Sequence, residues 1–494
     1  NTDSYSLSTF DFRGMNFLID SLAETKKQFW HSSSYHVEAQ GIKALLPSKN
    51  IDAEVGHFVL NTVEGNMNID KISVLPISTS NIKNDYIKGH IKRIDIAGLK
   101  YNDGIDANAF EIGATDIEYF KVKGVEANKT KSSEKRGNIL DLFFPYSHYL
   151  HVKKIKIRDV NFSLHDVSNS RSYNIKDFSF FADNFHMDEK TRQQQKYFFT
   201  CRDFGFSFKN FDNYLPGSIY RLKIDRVAFS SSSKELAMKG IVLTPNRDGC
   251  IDIHPTHIAL NSPSVTVSGM DFDLNKEADG AHIKSVSIVS PHIKVIKESL
   301  SKKEKIDKGE RTALPIKDFL VDNIKTSNPD IFYSDKANGD SLIFTTKDII
   351  VESLGLRQAN NYSVDKIDID DVHANITVSG TRLKTDIKAF DISKLSWKAV
   401  NTSSSFSVGS FGISNPDIHI LDIRKSEKKD ESASKKDIYT VLNSFAQDIN
   451  IRHFSLNNGT IVYGKQSADR INFMLHDLNI DTRNKTFALD DYIS

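Results

Sequence analysis

Residues 367–374 read IDIDDVHA, and the phase of that stretch decides the fold. Ile367 and Ile369 alternate with Asp368 and Asp370, as on a strand with one apolar face; the apolar residues then resume one position out of step, at Val372 and Ala374. One extra residue turns a strand's apolar set to the other face unless a bulge absorbs it. The same phrase, apolar-x-apolar-x-x-(Val/Leu/Met/Pro/Gly)-x-apolar, recurs along the whole chain. The other clean copies are Phe10/Phe12/Met15/Phe17, Phe120/Val122/Val125/Ala127, Ile155/Ile157/Val160/Phe162, Phe411/Ile413/Pro416/Ile418 and Phe454/Leu456/Gly459/Ile461. Looser copies begin at Ile94, Leu222, Ile258, Val286 and Ile324. About two strict matches are expected by accident at this composition, so the clean copies carry the reading. An array of such strands is one repeated sheet rather than an enzyme built around a pocket.

Composition points the same way. Lys plus Arg number 65 and Asp plus Glu 64, a net charge of +1 that lacks the basic excess of a nucleic-acid binder. Hydrophobic residues make up only 39%, yet 32 are Phe, which suits sheets with one apolar and one wet face. Cys201 and Cys250 stand at no metal-ligand or redox spacing. No run of 18 apolar residues is present to span a membrane as a helix. A chain that starts at Asn1 and stops at Ser494 reads as a fragment or a processed chain, with a signal or anchor segment removed.

A larger repeat lies over the strand pattern. Three stretches, about 116–185, 285–354 and 408–482, share one order of parts. Each opens with strand-like sequence (DIEYFKVKGVEAN, SVSIVSPHIKVI, VGSFGISNPDIHIL) and continues into a charged tract (KTKSSEKRGN, KESLSKKEKIDKGERT, RKSEKKDESASKKD). A short apolar segment follows (ILDLFFPYSHYL, ALPIKDFL, IYTVLNSFAQDI), then a phase-shifted strand and a closing strand. The tracts read as solvated loops at one edge of the sheet. The apolar segments read as short helices there: Ile438, Val441, Leu442 and Phe445 keep helical spacing. The borders are set at 1–115 for an N-terminal segment and at 116–284, 285–407 and 408–494 for the three units. Asn458-Gly459, Asn338-Gly339, Asp103-Gly104 and Asp248-Gly249 read as turns. Pro263, Pro291, Pro329 and Pro416 occupy one place in the pattern, which suits a bulge or strand start because proline donates no hydrogen bond.

Catalytic signatures are missing: the sequence has no Gly-rich phosphate loop, nucleophile elbow or His-Glu-x-x-His. His148 and His151, His254 and His257, and His31 and His36 lack a nearby Cys or carboxylate at zinc spacing and read as ordinary histidines. Asp370 and Asp371 read as a solvated edge at the bulge, and Asp271 and Asp273 as the wet face of a strand. The sequons at Asn128, Asn375 and Asn458 are expected by accident in an Asn- and Ser-rich chain.

The repeated order of weak motifs resembles the AsmA-like proteins of the bacterial envelope, within the wider group of bridge-like, repeating β-groove lipid-transfer proteins. The resemblance rests on strand pairs ending in Ser/Asn-Pro-x-Ile/Val (VSIVSPHIKVI, FGISNPDIHIL), the tract and short helix, and strands such as INIRHFSLNNGTIVYG followed by INFMLHDLNID. It covers most of 90–494 and, more loosely, 1–89, and lacks the family's usual membrane anchor. It implies a mainly β fold: an elongated, curved antiparallel β-sheet shaped as a taco or half-pipe groove, with a few short helices at its edge. It further implies a non-enzymatic protein of the bacterial periplasm, anchored to the inner membrane through a segment outside this chain. Its partners would be phospholipid or another acyl lipid in the groove and membrane or membrane proteins at the groove's ends, with no cofactor and no nucleic acid. The candidate lining residues are Phe162, Leu164, Val265, Val267, Ile293, Val295, Ile418, Ile420, Ile461 and Tyr463. The same residues would fill the core of a plain β-sandwich or solenoid, and the sequence leaves both arrangements open. A structural β-repeat protein without ligand is the alternative function. A glycan-cleaving enzyme ranks last, since Trp30 and Trp397 are the only tryptophans for a sugar platform.

Overall fold

The computed structural model describes residues 3–16, 34–47, 50–78, 85–101, 104–122, 148–167, 171–188, 200–215, 219–245, 256–270, 280–298, 318–357, 361–378, 381–400, 403–422, 448–463, 466–481, 486–488 and 491–493. The chain forms two compact units: Asn1–Tyr214 with Ile224–Ser232, and Leu215–Lys223 with Ser233–Ser494. Both are built of strands, with no α-helix among the described residues, so the mainly β expectation holds, and the sheets are curved.

The first unit holds β1 (Ser4–Ser6), β2 (Thr9–Met15), β3 (Ser34–Leu46), β4 (Ile51–Asn61), β5 (Asn66–Pro76), β6 (Tyr86–Ala97), β7 (Lys100–Tyr101), β8 (Ile105–Ala107), β9 (Ala109–Lys121), β10 (Tyr149–Asp166), β11 (Arg171–Asp188), β12 (Asp203–Tyr214) and most of β13 (Tyr220–Ser230). The second holds β14 (Glu235–Pro245), β15 (Thr256–Ser268), β16 (Gly280–Val289), β17 (His292–Lys297), β18 (Asp318–Ser327), β19 (Asp330–Asp335), β20 (Asp340–Thr345) and β21 (Asp348–Arg357). Its remaining strands are β22 (Asn361–Val378), β23 (Thr381–Val400), β24 (Ser403–Asp422), β25 (Asp448–Tyr463), β26 (Gln466–Asp481), β27 (Thr486–Ala488) and β28 (Asp491–Ile493).

The sheets are mixed rather than antiparallel throughout, and the exceptions fall at the repeats. β9 and β10 run parallel, as do β16 with β18, β17 with β19, and β24 with β25. In each case the sequence between the paired strands includes one of the three charged tracts with its apolar segment. A hairpin cannot join parallel neighbours; the chain must re-enter at the opposite strand end through a connection of a dozen or more residues. Reading the tracts as ordinary edge loops missed this. Apart from Lys297 and Glu298 at the start of the second, the tracts and the cores of the expected helices lie outside the described residues, but the ends of those apolar segments, Tyr149–Leu150, Asp318–Leu320 and Asp448–Ile449, are strand. The closing strand of each repeat is antiparallel to its predecessor: β11 to β10, β20 and β21 to β19 and β18, and β26 to β25.

The phase shift is a line of bulges crossing each sheet. In the second unit the ladders all break at one level: at Gly240 opposite Pro263, Ser290-Pro291, Asn328-Pro329, Thr346-Lys347, Asp371, Lys388, Asn415 and Asn458. In the first unit the line runs through Gly41, Gly56, Lys71, Lys92, Ala114, Asp159 and Asp177. The residue just before the Val, Pro or Gly of the sequence phrase takes the left-handed conformation: φ is 55° at Asp159, 42° at Ser290, 49° at Asn328, 53° at Asp371, 49° at Asn415 and 53° at Asn458. Asn, Asp and Ser tolerate that region better than branched side chains do. Asn458-Gly459 is therefore a bulge inside β25 and not the expected hairpin turn, whereas Asn338-Gly339 does turn β19 into β20, with Gly339 at φ 72°. Asp103 and Asp248-Gly249 lie outside the described residues. The four prolines sit on the bulge line, where no ladder donor is required.

A second line runs parallel to the first, through Gly269, Lys284, Asp322, Ser353, Asp365, Lys394, Gly409, Arg452 and Asp477. On β22, β23, β24 and β25 the two lines are six residues apart: Asp365 and Asp371, Lys394 and Lys388, Gly409 and Asn415, Arg452 and Asn458. Each strand thus shifts phase twice, and its apolar side chains stay on one face throughout.

Asn328 isolates the backbone requirement. Asn328→Gly is expected to unfold within about 0.5 kcal/mol of the native chain, whereas Asn328→Val costs about 1–2 kcal/mol. Denaturant titration of both variants checks this; equal stabilities would remove the left-handed bulge as a constraint.

Candidate apolar binding face

Registers convert the strands into cross-strand rows. In the second unit one row runs Leu260, Ile293, Ile331, Phe344, Ala374, Thr385, Ile418, Ile461, and the next runs Ile258, Val295, Tyr333, Leu342, Ile376, Leu383, Ile420, Tyr463. Across the bulge line the rows continue on the same face with Met238, Val265, Ile288, Thr326, Ile349, Ile369, Phe390, Ile413, Leu456, Phe473 and with Leu236, Val267, Val286, Ile324, Val351, Ile367, Ile392, Phe411, Phe454, Leu475. Val265, Val267, Ile293, Val295, Ile418, Ile420, Ile461 and Tyr463 therefore share one face of this unit. Phe162 and Leu164 lie on the apolar face of the first unit, beside Ile175 and Tyr173 of β11 and Ile117 and Tyr119 of β9.

Strand pairs with substantial contact within each unit are hydrogen-bonded neighbours, so among the described residues no second layer packs on this face. Burial agrees: nine of the ten candidates are half-buried, and Tyr463 is 56% exposed. A β-sandwich core would bury such positions fully. A buried cluster lies in the first unit, where Ala107, Val152, Ile155 and Ala182 gather Phe110, Phe180 and Phe204 around them.

The sequence reading took only residues beyond the phase shift in most strands and so missed the middle rows, which carry the aromatics. Phe390, Phe411, Phe454 and Phe473 form a ladder with ring centroids 4.8, 5.3 and 5.5 Å apart, and Phe204, Phe206 and Phe229 form a cluster at 5.4–5.5 Å. The first half of the same phrase, Phe411 or Phe454, was the available signal.

The opposite face is charged and internally paired. Lys388 donates to Asp371 at 2.7 Å and holds its carboxyl below the usual range. Asp370 lies at the same bulge, inside the sheet rather than at its edge. Of the histidines considered as ligands, His151 meets Asp106 and Asn184 at 3.0 Å, and His36 approaches Glu38 at 4.0 Å. His31, His254, Asp271 and Asp273 lie outside the described residues. Among the described residues no cluster of three or more His, Cys, Asp or Glu could hold a metal ion, and no helix is long and apolar enough to cross a membrane. Cys201 is a free, half-buried thiol whose burial, helped by Asp203, pushes its pKa up, away from a reactive thiolate. No protein-family model matches the chain, and no curated protein matches it.

Asp335, its side chain 3% exposed, ends β19, accepts from Lys297 at 2.9 Å and from the Ala337 amide at 3.0 Å. Burial alone would raise its pKa, but the hydrogen bonds from Lys297 and the turn amides outweigh this and hold it below the ordinary carboxylate value. A depressed carboxylate contributes stability above its unfolded pKa and loses it as pH falls through the folded one. Asp335→Ala should cost about 1–3 kcal/mol at pH 7 and less once the pH is low enough to protonate the native carboxylate, measured by denaturant titration across pH. A pH-independent cost would show that ionisation is irrelevant there.

Proposed function

We propose that this chain is a non-enzymatic lipid-binding protein whose apolar sheet face holds the acyl chains of a phospholipid or another acyl lipid. One observation carries the reading: rows of Ile, Val, Leu and Phe continue from strand to strand on one face of each unit, with no described layer covering them. Apolar surface on that scale calls for a partner. An acyl chain suits it, since each buried methylene contributes about 0.8 kcal/mol without any specific polar contact. The charged opposite face keeps such a sheet wet on its other side. The resemblance to AsmA-like proteins in the order of repeated parts supports a place in the bacterial periplasm, with membranes or membrane proteins at the ends of the groove.

Native mass spectrometry of the purified chain, followed by solvent extraction and lipid identification, tests this. Co-purified lipid at a reproducible stoichiometry is expected, with most of it lost in Ile293→Asp and Ile418→Asp, each checked by circular dichroism for an intact sheet. A stable chain that is lipid-free after detergent-free preparation and takes up no lipid from vesicles would sink the proposal and leave a structural β-repeat protein.

A further inference from the structure

Many histidines of the charged face meet a carboxylate. His57 reaches Glu38 at 3.0 Å, His282 reaches Asp322 at 2.8 Å, and His292 reaches Asp330 at 2.8 Å. On β25 and β26 two histidines meet each other. His453 and His476 are register partners, and their Nδ1 atoms stand 2.9 Å apart. Their ring centroids are 5.0 Å apart and the ring planes are inclined at 82°.

The strand pattern puts them there. Phe454 and Leu475 face each other in an apolar row, so His453 just before the first and His476 just after the second project from the opposite face. His453 is exposed and His476 half-buried, so solvent reaches the pair. Ser410 on β24 and Asp491 on β28 continue the row on either side.

Two neutral imidazoles in this contact share one N–H···N bond: one ring carries its proton on Nδ1 and the other on Nε2. Moving the first proton to the Nε2 of its own ring leaves two Nδ1 lone pairs beside one point, with no change in charge. Metal–nitrogen bonds are about 2.0–2.1 Å long, so nitrogens 2.9 Å apart subtend about 90° at a metal between them. That is the cis angle of a tetragonal ion; a tetrahedral ion needs a wider one. Tetragonal geometry with nitrogen donors suits Cu(II), which also binds such donors more tightly than its neighbours in the first transition row. Two imidazoles are too few to close a structural zinc site, which takes four protein ligands. They make a chelate that stays open to water.

We infer that His453 and His476 form a two-imidazole binding site for Cu(II), with water in the remaining positions, on the face opposite the apolar rows. The site does not rest on the lipid-binding reading, since it uses the other face of the sheet.

Titration of the full chain with copper sulfate in a non-coordinating buffer, followed by electron paramagnetic resonance, tests this. The first equivalent is expected to give an axial Cu(II) spectrum with two equatorial nitrogens. His476→Asn should weaken that first site by about tenfold or more, because the second imidazole no longer binds within the same molecule. His453→Gln should do the same, and it serves alone if His476→Asn loses the strand signal in circular dichroism. The double variant should be little worse than either single one. His292→Asn removes an imidazole outside the pair and should leave the first site unchanged. A first site retained in the folded variants, a wild-type spectrum with a single nitrogen, or an equal loss in His292→Asn would mean adventitious surface copper only and overturn the inference.

Discussion

The constraint on which the rest of the structure depends is that a sheet with one apolar face must shift register on all its strands at the same level. A bulge on one strand moves its further half out of phase with both neighbours. If the neighbours did not bulge opposite it, half of every cross-strand row would place Ile against Asp. Here the left-handed residues at Ser290, Asn328, Asp371, Asn415 and Asn458 stand side by side, and the strands between them skip at Lys347 and Lys388. The rows survive because the irregularity is collective. Side-chain chemistry follows from it: proline where the donor is dispensable, Asn or Asp where φ is positive, and glycine at Gly409, where a Cβ would stand 2.9 Å from the Lys394 Cβ.

The same geometry separates two kinds of surface. The apolar rows are half-buried by their own neighbours and by no described facing layer. The charged face satisfies itself through cross-strand contacts such as His57 to Glu38 at 3.0 Å and His292 to Asp330 at 2.8 Å. Exposed pairs of this kind contribute little each to stability. Their larger role is to keep one face wet while the other stays free for apolar contact.

Much of this was legible in the sequence because the phase of alternation is a local property. IDIDDVHA shows the strand, the bulge and the face in eight residues. The apolar positions after the shift were found for the same reason. Strand direction was not legible. Parallel pairing of β24 with β25 is set by where residues 423–447 return the chain, and a charged tract carries no periodicity that reveals its path. Asn458-Gly459 misled because the dipeptide that favours a hairpin turn also favours a left-handed bulge, and only the partner strand distinguishes them. The histidine pair on β25 and β26 was invisible, since His453 and His476 become neighbours only through register.

The paired bulge lines also set what kinds of change the gene can absorb. Adding or removing one codon within a strand, between the level of Asp365 and that of Asp371 for example, would invert the faces of everything beyond it until the next compensating bulge. Changing the length of a tract between strands alters no phase at all. Insertions and deletions should therefore accumulate in the tracts and be nearly absent between the lines. The array would then lengthen or shorten by whole strands, each new one arriving with its phase shifts already in place.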